Sequence, residues 1–572
     1  MALFLLILSA LLLNAQTVAS ISPAGDGTGL EPLLKIRFAA PIDPESFRSR
    51  ISIRWGETAQ TTGFTTYPTG YLMPINEVAW DPATNTLYAK PDEPLDHDRD
   101  FDLIVSSASG TALATSRFHT RNVTRTLLAR DLGPAASLKR IVPRILDINE
   151  VKSITVFNQT SSDPTAALTA TPYPVSPAFI TALGLHRLAF LRYTSSRGDS
   201  IDVHAWIPST PPPPAGYPVV LIGHGLFDSR FFGPSLFATA FASNAVVMSI
   251  DAVGHGFGPA SLVRFDLNDA STLSVPFPGR GRDVNGDGKI DAGEGCSIVA
   301  PGNPDFINTC LRETALDYRK LVREIQAGVD LDGDGRADLD PNRIQYLGQS
   351  LGAMYGTILV AIEGGIDSAV LNVGGGSSVE MARYSDVLRP QLQQYAALVA
   401  PTFADLPDPL IGRWEPVRRL TDPRSGPYLE LLDTLATIGA DAAPASFAPF
   451  LKQATLYGNP IKRVLFQYAL GDRVVPNRAN GQLIRAAFEY ELISLYRHDL
   501  ARAVVPTLPE NPHQYMAAFG ILDQQPSLLI GLATLSQAST FLASGRREVP
   551  DVNALVRGLF RQNLFETPTQ VP

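Results

Sequence analysis

Positive charge is in short supply in this chain. Its 47 lysines and arginines stand against 56 aspartates and glutamates in 572 residues, a net charge of −9. Nucleic-acid binding needs a basic face with interleaved aromatics, and no stretch supplies one. Cysteine is scarcer still: Cys296 and Cys310 are the only two, which excludes a disulfide-dense scaffold. Histidine occurs eight times, few enough for a catalytic base to be sought by elimination. No apolar run beyond the first twenty residues reads as membrane-spanning.

Ala2–Leu13 is an apolar stretch too short to cross a bilayer comfortably, and Thr17-Val18-Ala19 supplies small residues for cleavage. Residues 1–20 therefore read as a secretory signal peptide, although no Lys or Arg precedes the apolar run; an uncleaved anchor is the alternative. Export makes the two cysteines a candidate disulfide, with two free buried thiols as the alternative.

At this length two or three domains are expected. Residues 21–125 read as all-β. Leu33–Phe38, Ile51–Trp55, Thr86–Ala89 and Phe101–Val105 are short runs, some alternating, separated by turn residues such as Pro44 and Pro82. That spacing fits a β-sandwich. The phrases Ile36–Pro44 and Leu87–Pro91 resemble bacterial immunoglobulin-like modules. Residues 126–185 read as a connector, with Ile141, Val142, Ile145 and Leu146 able to share a helix face if Pro143 sits in its first turn.

From residue 186 strands alternate with helices. Leu188–Tyr193 and Ile201–Trp206 read as a hairpin. Pro218–Ile222 and Ala245–Ile250 are continuous apolar runs, as in strands buried on both faces. Leu311, Ala315, Tyr318, Val322 and Ile325 share one face of a helix that Gly328 can end. Alternation of this kind predicts an α/β class: a mostly parallel, doubly wound sheet with helices on both faces.

Gly348-Gln349-Ser350-Leu351-Gly352 lies between a strand-like segment (Arg343–Leu347) and an apolar, helix-competent one (Leu351–Val360). A strand, a sharp turn and a helix lift a serine hydroxyl above a sheet, and glycines flank it because side chains there would collide. A serine needs a base, and the base needs an orienting acid. On such an elbow the acid and the histidine follow the serine in the chain. His97, His119, His186, His204, His224 and His255 precede Ser350, leaving His498 and His513. His513, in a proline-bounded loop, is the preferred base. Asp472, just past the buried run Arg463–Tyr468, is the acid. The oxyanion donors are the amides of Leu351 and of Leu226, with Gly225 as the local alternative, because Gly223–Phe227 directly follows a buried strand. His224 and His255 read as structural.

His224-Gly225, the Asp251…Gly254-His255-Gly256 segment, the serine pentapeptide, Gly471-Asp472 through Pro476, and His513 run in order across roughly residues 186–545. In this the chain resembles the α/β-hydrolase superfamily, in particular secreted bacterial lipase- and esterase-like members. The resemblance implies ester hydrolysis and leaves the substrate open. The N-terminal β-region and the insertion around 262–310 depart from a minimal member.

Asp283–Glu294 matches the calcium-loop pattern at every required position, with ligands expected from Asp283, Asn285, Asp287, the Lys289 carbonyl, Asp291 and Glu294. Asp330–Asp338 is a poorer match: Asp330, Asp332, Asp334, the Arg336 carbonyl and Asp338 are candidates, but Pro341 stands where the closing glutamate belongs, with Asp340 beside it. Calcium is expected as a structural ion, and no organic cofactor is expected.

The reading is thus an exported serine hydrolase, secreted or periplasmic, acting on a small-molecule or lipid ester through an acyl-enzyme. Its domains are a signal peptide (1–20), a β-sandwich (21–125), a connector (126–185) and a hydrolase domain (186–550). Within the last, 262–345 is an insertion with calcium-type loops and 374–456, rich in Ala, Leu, Pro and Phe, a helical lid; 551–572 is a tail. The β-domain is a candidate for peripheral membrane or cell-surface contact. The alternatives are a peptidase or amidase on the same triad, and a non-catalytic calcium-stabilised adhesion or binding protein.

Overall fold

The computed structural model describes residues 17–56, 72–73, 75–91, 93–135, 137–173, 175–242, 245–296, 306–407, 417–452, 455–520 and 525–568. The apolar segment of the expected signal peptide lies outside them. The chain divides into two compact units: 126–376 with 384–387 and 447–572, and 1–125 with 377–383 and 388–446.

The larger unit is built on strands β1 Leu185–Thr194, β2 Ser200–Pro208, β3 Tyr217–Gly223, β4 Val246–Ile250, β5 Leu339–Gln349, β6 Ile366–Asn372, β7 Arg463–Ala469 and β8 Ile493–Tyr496. They lie in the order β1-β2-β4-β3-β5-β6-β7-β8. β2 runs antiparallel to β1 and β4, and all pairings from β4 to β8 are parallel. The expected hairpin is β1–β2. The expected apolar runs are β3 and β4, buried along their whole lengths. Ile222, Leu347, Val370 and Leu465 stand in register across the sheet centre, and none is exposed. Each such side chain contributes about 1.5–3 kcal/mol on burial.

Helices cover this sheet. α1 (Phe306–Gln326) buries the predicted stripe of Leu311, Ala315, Tyr318, Val322 and Ile325. α2 (Leu351–Ile362), apolar all round, is buried at all twelve residues, as that composition requires. α3 (Gln525–Ser544) follows the loop that carries His513.

Three expectations change here. No helix forms over 141–146: Lys139–Arg140 and Leu146–Asp147 are short strands on β1, with Pro143 between them. The connector is not a mere link. Its strands Val151–Asn158 and Thr169–Pro172 form a four-stranded sheet with Leu262–Leu267 and Thr272–Pro276, so connector and insertion are one element. Of the stretch read as a tail, the described residues 551–568 are structured: Asn553–Phe560 is helical and Phe565–Glu566 pairs with β8.

Among its described residues the smaller unit holds two five-stranded sheets. Burial alternates along Leu34–Phe38, Ile51–Trp55 and Asp100–Ser106, giving a core that includes Ile36, Phe38, Ile53, Trp55, Phe101 and Leu103. Val18–Ser22, partly inside the stretch assigned to the signal peptide, pairs with Leu34–Phe38. Most of the segment expected as a lid belongs to this unit. Arg418–Arg419 extends one sheet beside Ile75–Asp81. Helix Ser425–Gly439 is tied to the strands by the Leu33 amide, which donates to Asp433 Oδ1 (2.7 Å), and by the Lys35–Glu430 ion pair.

Candidate active site

β5 ends at Gln349 and α2 begins at Leu351, so Ser350 occupies the turn with φ 56° and ψ −117°. A non-glycine residue rarely adopts that conformation, and only its surroundings hold it there. The Ser350 amide donates to the Asn372 carbonyl on β6 (2.8 Å). A Cβ on Gly348 would lie 2.3 Å from the Gly352 carbonyl oxygen, and one on Gly352 would lie 2.1 Å from that of Gly223. Both obstacles are backbone, so both glycines are obligatory, as the pattern predicted.

The structure brings the three expected side chains together. Ser350 Oγ lies 2.8 Å from His513 Nε2, and His513 Nδ1 lies 2.8 Å from Asp472 Oδ2. All three residues are buried. The other Asp472 oxygen accepts the amides of Val474 (2.8 Å) and Val475 (3.0 Å), which fixes the carboxylate. The alternative base, His498, is elsewhere engaged: its Nε2 lies 2.8 Å from the Pro509 carbonyl and its Nδ1 3.2 Å from the Tyr496 hydroxyl.

The Leu351 amide is a first-turn donor of α2, without an intrahelical acceptor. The turn after β3 passes the serine closely, since a Cβ on Gly225 would lie 3.5 Å from that of Ser350. His224 fastens this turn. Its Nε2 accepts the Ala252 amide (2.9 Å), so Nδ1 carries the hydrogen and donates to the Gly225 carbonyl (2.8 Å). The Gly225 carbonyl and the Leu226 N–H belong to one trans peptide and point opposite ways, so this bond also sets the direction of the Leu226 donor. Burial pushes His224 down to about 4 and His255 down to about 3, keeping both neutral. Asp228, further along the same turn, accepts the amides of Ser229 and Gly233; burial pushes its carboxyl up to about 7 against those hydrogen bonds.

Asn372, Asn511 and His224 are site residues that sequence reasoning missed or left structural. Asn511 Oδ1 accepts both the His513 amide (3.2 Å) and the Arg473 amide (3.1 Å), joining the histidine loop to the acid loop. Its position two residues before His513 was the available signal. Of the expected lid, Tyr384–Val387 stays in this unit, and the Ser385 hydroxyl donates to the Arg473 carbonyl (2.9 Å). A cavity of about 180 Å³ abuts His513, lined largely by apolar groups of Val474, Tyr496, Leu508, Tyr515 and Ile530.

The two acidic loops wrap alike. Asp283 accepts the amides of Gly286 and Gly288, and Asp330 those of Gly333 and Gly335. Glu294 Oε1 closes the first loop by accepting the amides of Val284 and Asn285. In the second, Asp338 accepts those of Leu331 and Asp332, so it, and not Asp340, takes the closing place. Asp340 instead accepts the Asn342 amide. Carboxylate oxygens of Asp330, Asp332 and Asp338 converge within 4.8 Å. Partial burial, aided by the charges of Asp332 and Asp330, raises the Asp338 carboxyl above its ordinary range. Crowded hard oxygens of this kind suit calcium. Asn285 and Asp287 accept amides within the first loop, as Asp332 and Asp334 do in the second, and the expected carbonyl donors are those of Lys289 and Arg336. The first loop also abuts the turn after β3: a Cβ on Gly293 would lie 2.9 Å from Phe227 Cδ1 and 3.2 Å from Leu226 Cδ1. Cys296 and Cys310 form the expected disulfide.

No family model and no curated protein matches the sequence. Among solved structures the chain is similar to acetyl xylan esterase 1 from Thermoanaerobacterium sp. JW/SL YS485 (17% identity, 67% of this chain and 90% of that one, TM-score 0.36). It is also similar to the acylaminoacyl peptidase of Pyrococcus horikoshii (10%, 80% and 56%, 0.37) and to a thermostable esterase from Pseudomonas putida ECU1011 (14%, 64% and 88%, 0.34). These likenesses are distant, and it is the geometry around Ser350 that carries the chemistry.

Proposed function

We propose that the larger unit is a serine hydrolase of the α/β-hydrolase type that cleaves carboxylic esters through an acyl-enzyme. The observation that carries this reading is the unbroken chain of two 2.8 Å contacts from Ser350 through His513 to Asp472. Ser350 Oγ attacks the ester carbonyl carbon while His513 Nε2 takes its proton. Asp472 holds the imidazole in the productive tautomer and stabilises the imidazolium. The carbonyl oxygen, now an anion, accepts from the amides of Leu351 and Leu226, each worth about 3–4 kcal/mol to the transition state. Collapse breaks the bond to the leaving oxygen, and His513 returns the proton to it. Water then attacks the acyl-serine with His513 again as base, releasing the acid.

Hydrolysis of a chain-length series of chromogenic esters tests this. Ser350→Ala is expected to lower kcat by roughly 10⁴–10⁶. Equal activity in variant and wild type would sink the reading.

Three further proposals accompany it. Calcium occupies both acidic loops as a stabilising ion, with Asp338 in the closing place of the second. The chain is exported, a reading supported by the apolar segment Ala2–Leu13 and the Cys296–Cys310 disulfide, which belongs in an oxidising compartment. The smaller unit is an immunoglobulin-like module with a cell-surface or membrane contact as its role, supported by its two sheets of alternating burial.

A further inference from the structure

We propose that Tyr515 is a positioning residue for the reaction of Ser350: through Asn372, its hydroxyl ties the loop that carries His513 to the turn that carries the serine. The proposal rests on the hydrolase reading and adds to it a residue outside the triad. Asn372 Nδ2 donates to the Tyr515 hydroxyl (2.9 Å), and the Asn372 carbonyl accepts the Ser350 amide (2.8 Å). Tyr515 stands two residues after His513. One asparagine thus meets the serine with its backbone and the histidine loop with its side chain.

The backbone on both sides of that asparagine contact is strained. Val373, next after Asn372, has φ 47°, and Ser350 has φ 56°. A β-branched residue scarcely ever enters the left-handed region. Such conformations persist only where their surroundings over-determine them, and they gather at active sites. Here the Val373 amide donates to the Gln467 carbonyl on β7 (2.8 Å). The Gln467 side chain accepts from Asn372 Nδ2 (3.3 Å) and donates to Gln537 Oε1 on α3 (2.9 Å). Asn372 is the weak point of this buried network. Its Oδ1 has no hydrogen-bond partner among the described residues. Two bonds from Nδ2 therefore hold the side chain, and the shorter is the one to Tyr515.

Tyr515 is itself held in place to take that bond. Its ring stacks on Tyr496 with centroids 4.9 Å apart, and its amide donates to the Pro512 carbonyl (2.8 Å). Burial holds its hydroxyl well above the ordinary tyrosine range, helped by the charge of Asp472. The hydroxyl therefore stays neutral and accepts from the amide without setting a second negative charge near the acid of the triad.

The histidine loop needs such a tie because close packing does not enclose it. Every residue from Asn511 to Tyr515 lines the cavity of about 180 Å³. Hydrogen bonds on the other flanks must then fix the loop. Asn511 Oδ1 joins it to the acid loop, and Tyr515 joins it to β6. A displacement of about 1 Å at a reacting group can cost roughly 100-fold in rate, so a bond that only sets distance can matter to kcat.

The test is steady-state hydrolysis of the chromogenic esters by the full chain carrying Tyr515→Phe, Asn372→Leu, both together, or Tyr193→Phe. Tyr193 is the control, a buried tyrosine on β1 whose hydroxyl donates to the Asp317 carbonyl (2.8 Å). Tyr515→Phe is expected to lower kcat roughly 10–100-fold with KM held within about twofold, because alignment is lost and substrate binding is not. Tyr193→Phe is expected to lose comparable stability in urea and to keep its kcat, which separates positioning from general loosening. The double variant is expected to be no slower than the slower single one, since both substitutions cut the same tie. An unchanged kcat in Tyr515→Phe, an equal fall in Tyr193→Phe, or losses that multiply in the double variant would overturn the proposal. Wild-type protein that turns over no ester sinks the hydrolase reading and this proposal with it. An active wild type beside an equally active Tyr515→Phe sinks this proposal alone.

Discussion

The serine turn and the acidic loops were both found as short patterns, yet they differ in what completes them. Around Ser350 the base and acid of the proposed chemistry are protein groups already in contact. Serine, base and acid are joined in a chain by two 2.8 Å contacts, and backbone fixes each glycine. In the second acidic loop the carboxylates of Asp330, Asp332 and Asp338 crowd one another, and the cation proposed for it would complete it. A motif made of sterics and hydrogen bonds is completed by folding alone. A motif made of like charges is, on the proposed reading, completed by a cation.

Perturbations should therefore act on different observables. The largest effect is expected at the site that is complete. Asp472→Asn leaves the fold intact but spoils the tautomer of His513, lowering kcat roughly 10⁴-fold; a loss below tenfold would show that another group orients the base. Gly352→Ala forces a methyl against the Gly223 carbonyl. It is expected to destabilise by about 1–3 kcal/mol in urea melts and to remove most activity, since the first turn of α2 and the end of β3 must part.

At the loops the expected readout is stability. Chelation should lower Tm by about 2–5 °C with calcium initially in hundredfold excess over Kd. Asp283→Asn and Asp330→Asn should each abolish part of that shift, and kcat at saturating calcium should hold. A shift insensitive to Asp330→Asn would leave the first loop as the sole site.

A further readout, the pH dependence of stability, belongs to Asp228. Its folded-state carboxyl titrates near 7, above the ordinary range, so the folded protein holds a proton there that the unfolded chain releases near 4. Stability therefore falls as pH rises from about 4 to 7. Asp228→Asn, measured by Tm against pH, should flatten that part of the profile. An unchanged slope would place the burden on other groups.

Much of the site was legible because its constraints are local or ordered along the chain. The glycines around Ser350 declare a crowded turn, and eight histidines leave few candidates after it. Asn372 could not be read in this way, because its carbonyl meets Ser350 only through the β5–β6 register. His224 looked structural, which is true of its burial but silent on the peptide it orients. Composition marked 374–456 as helical without saying which unit its helices join. That depends on such contacts as Leu33 with Asp433, 400 residues apart. The closing place in the second loop passes to Asp338 because its carboxylate accepts the amides of Leu331 and Asp332, a contact that the spacing alone does not show.

Phe565–Glu566, paired antiparallel with β8, gives the chain's last stretch a protective duty. Uncovered, the outer side of β8 would offer free amides and carbonyls to any extended strand, including another copy of itself. A version trimmed at residue 550 would lose that shield together with the buried Val556, Phe560 and Leu564, and it should betray the loss by associating with itself.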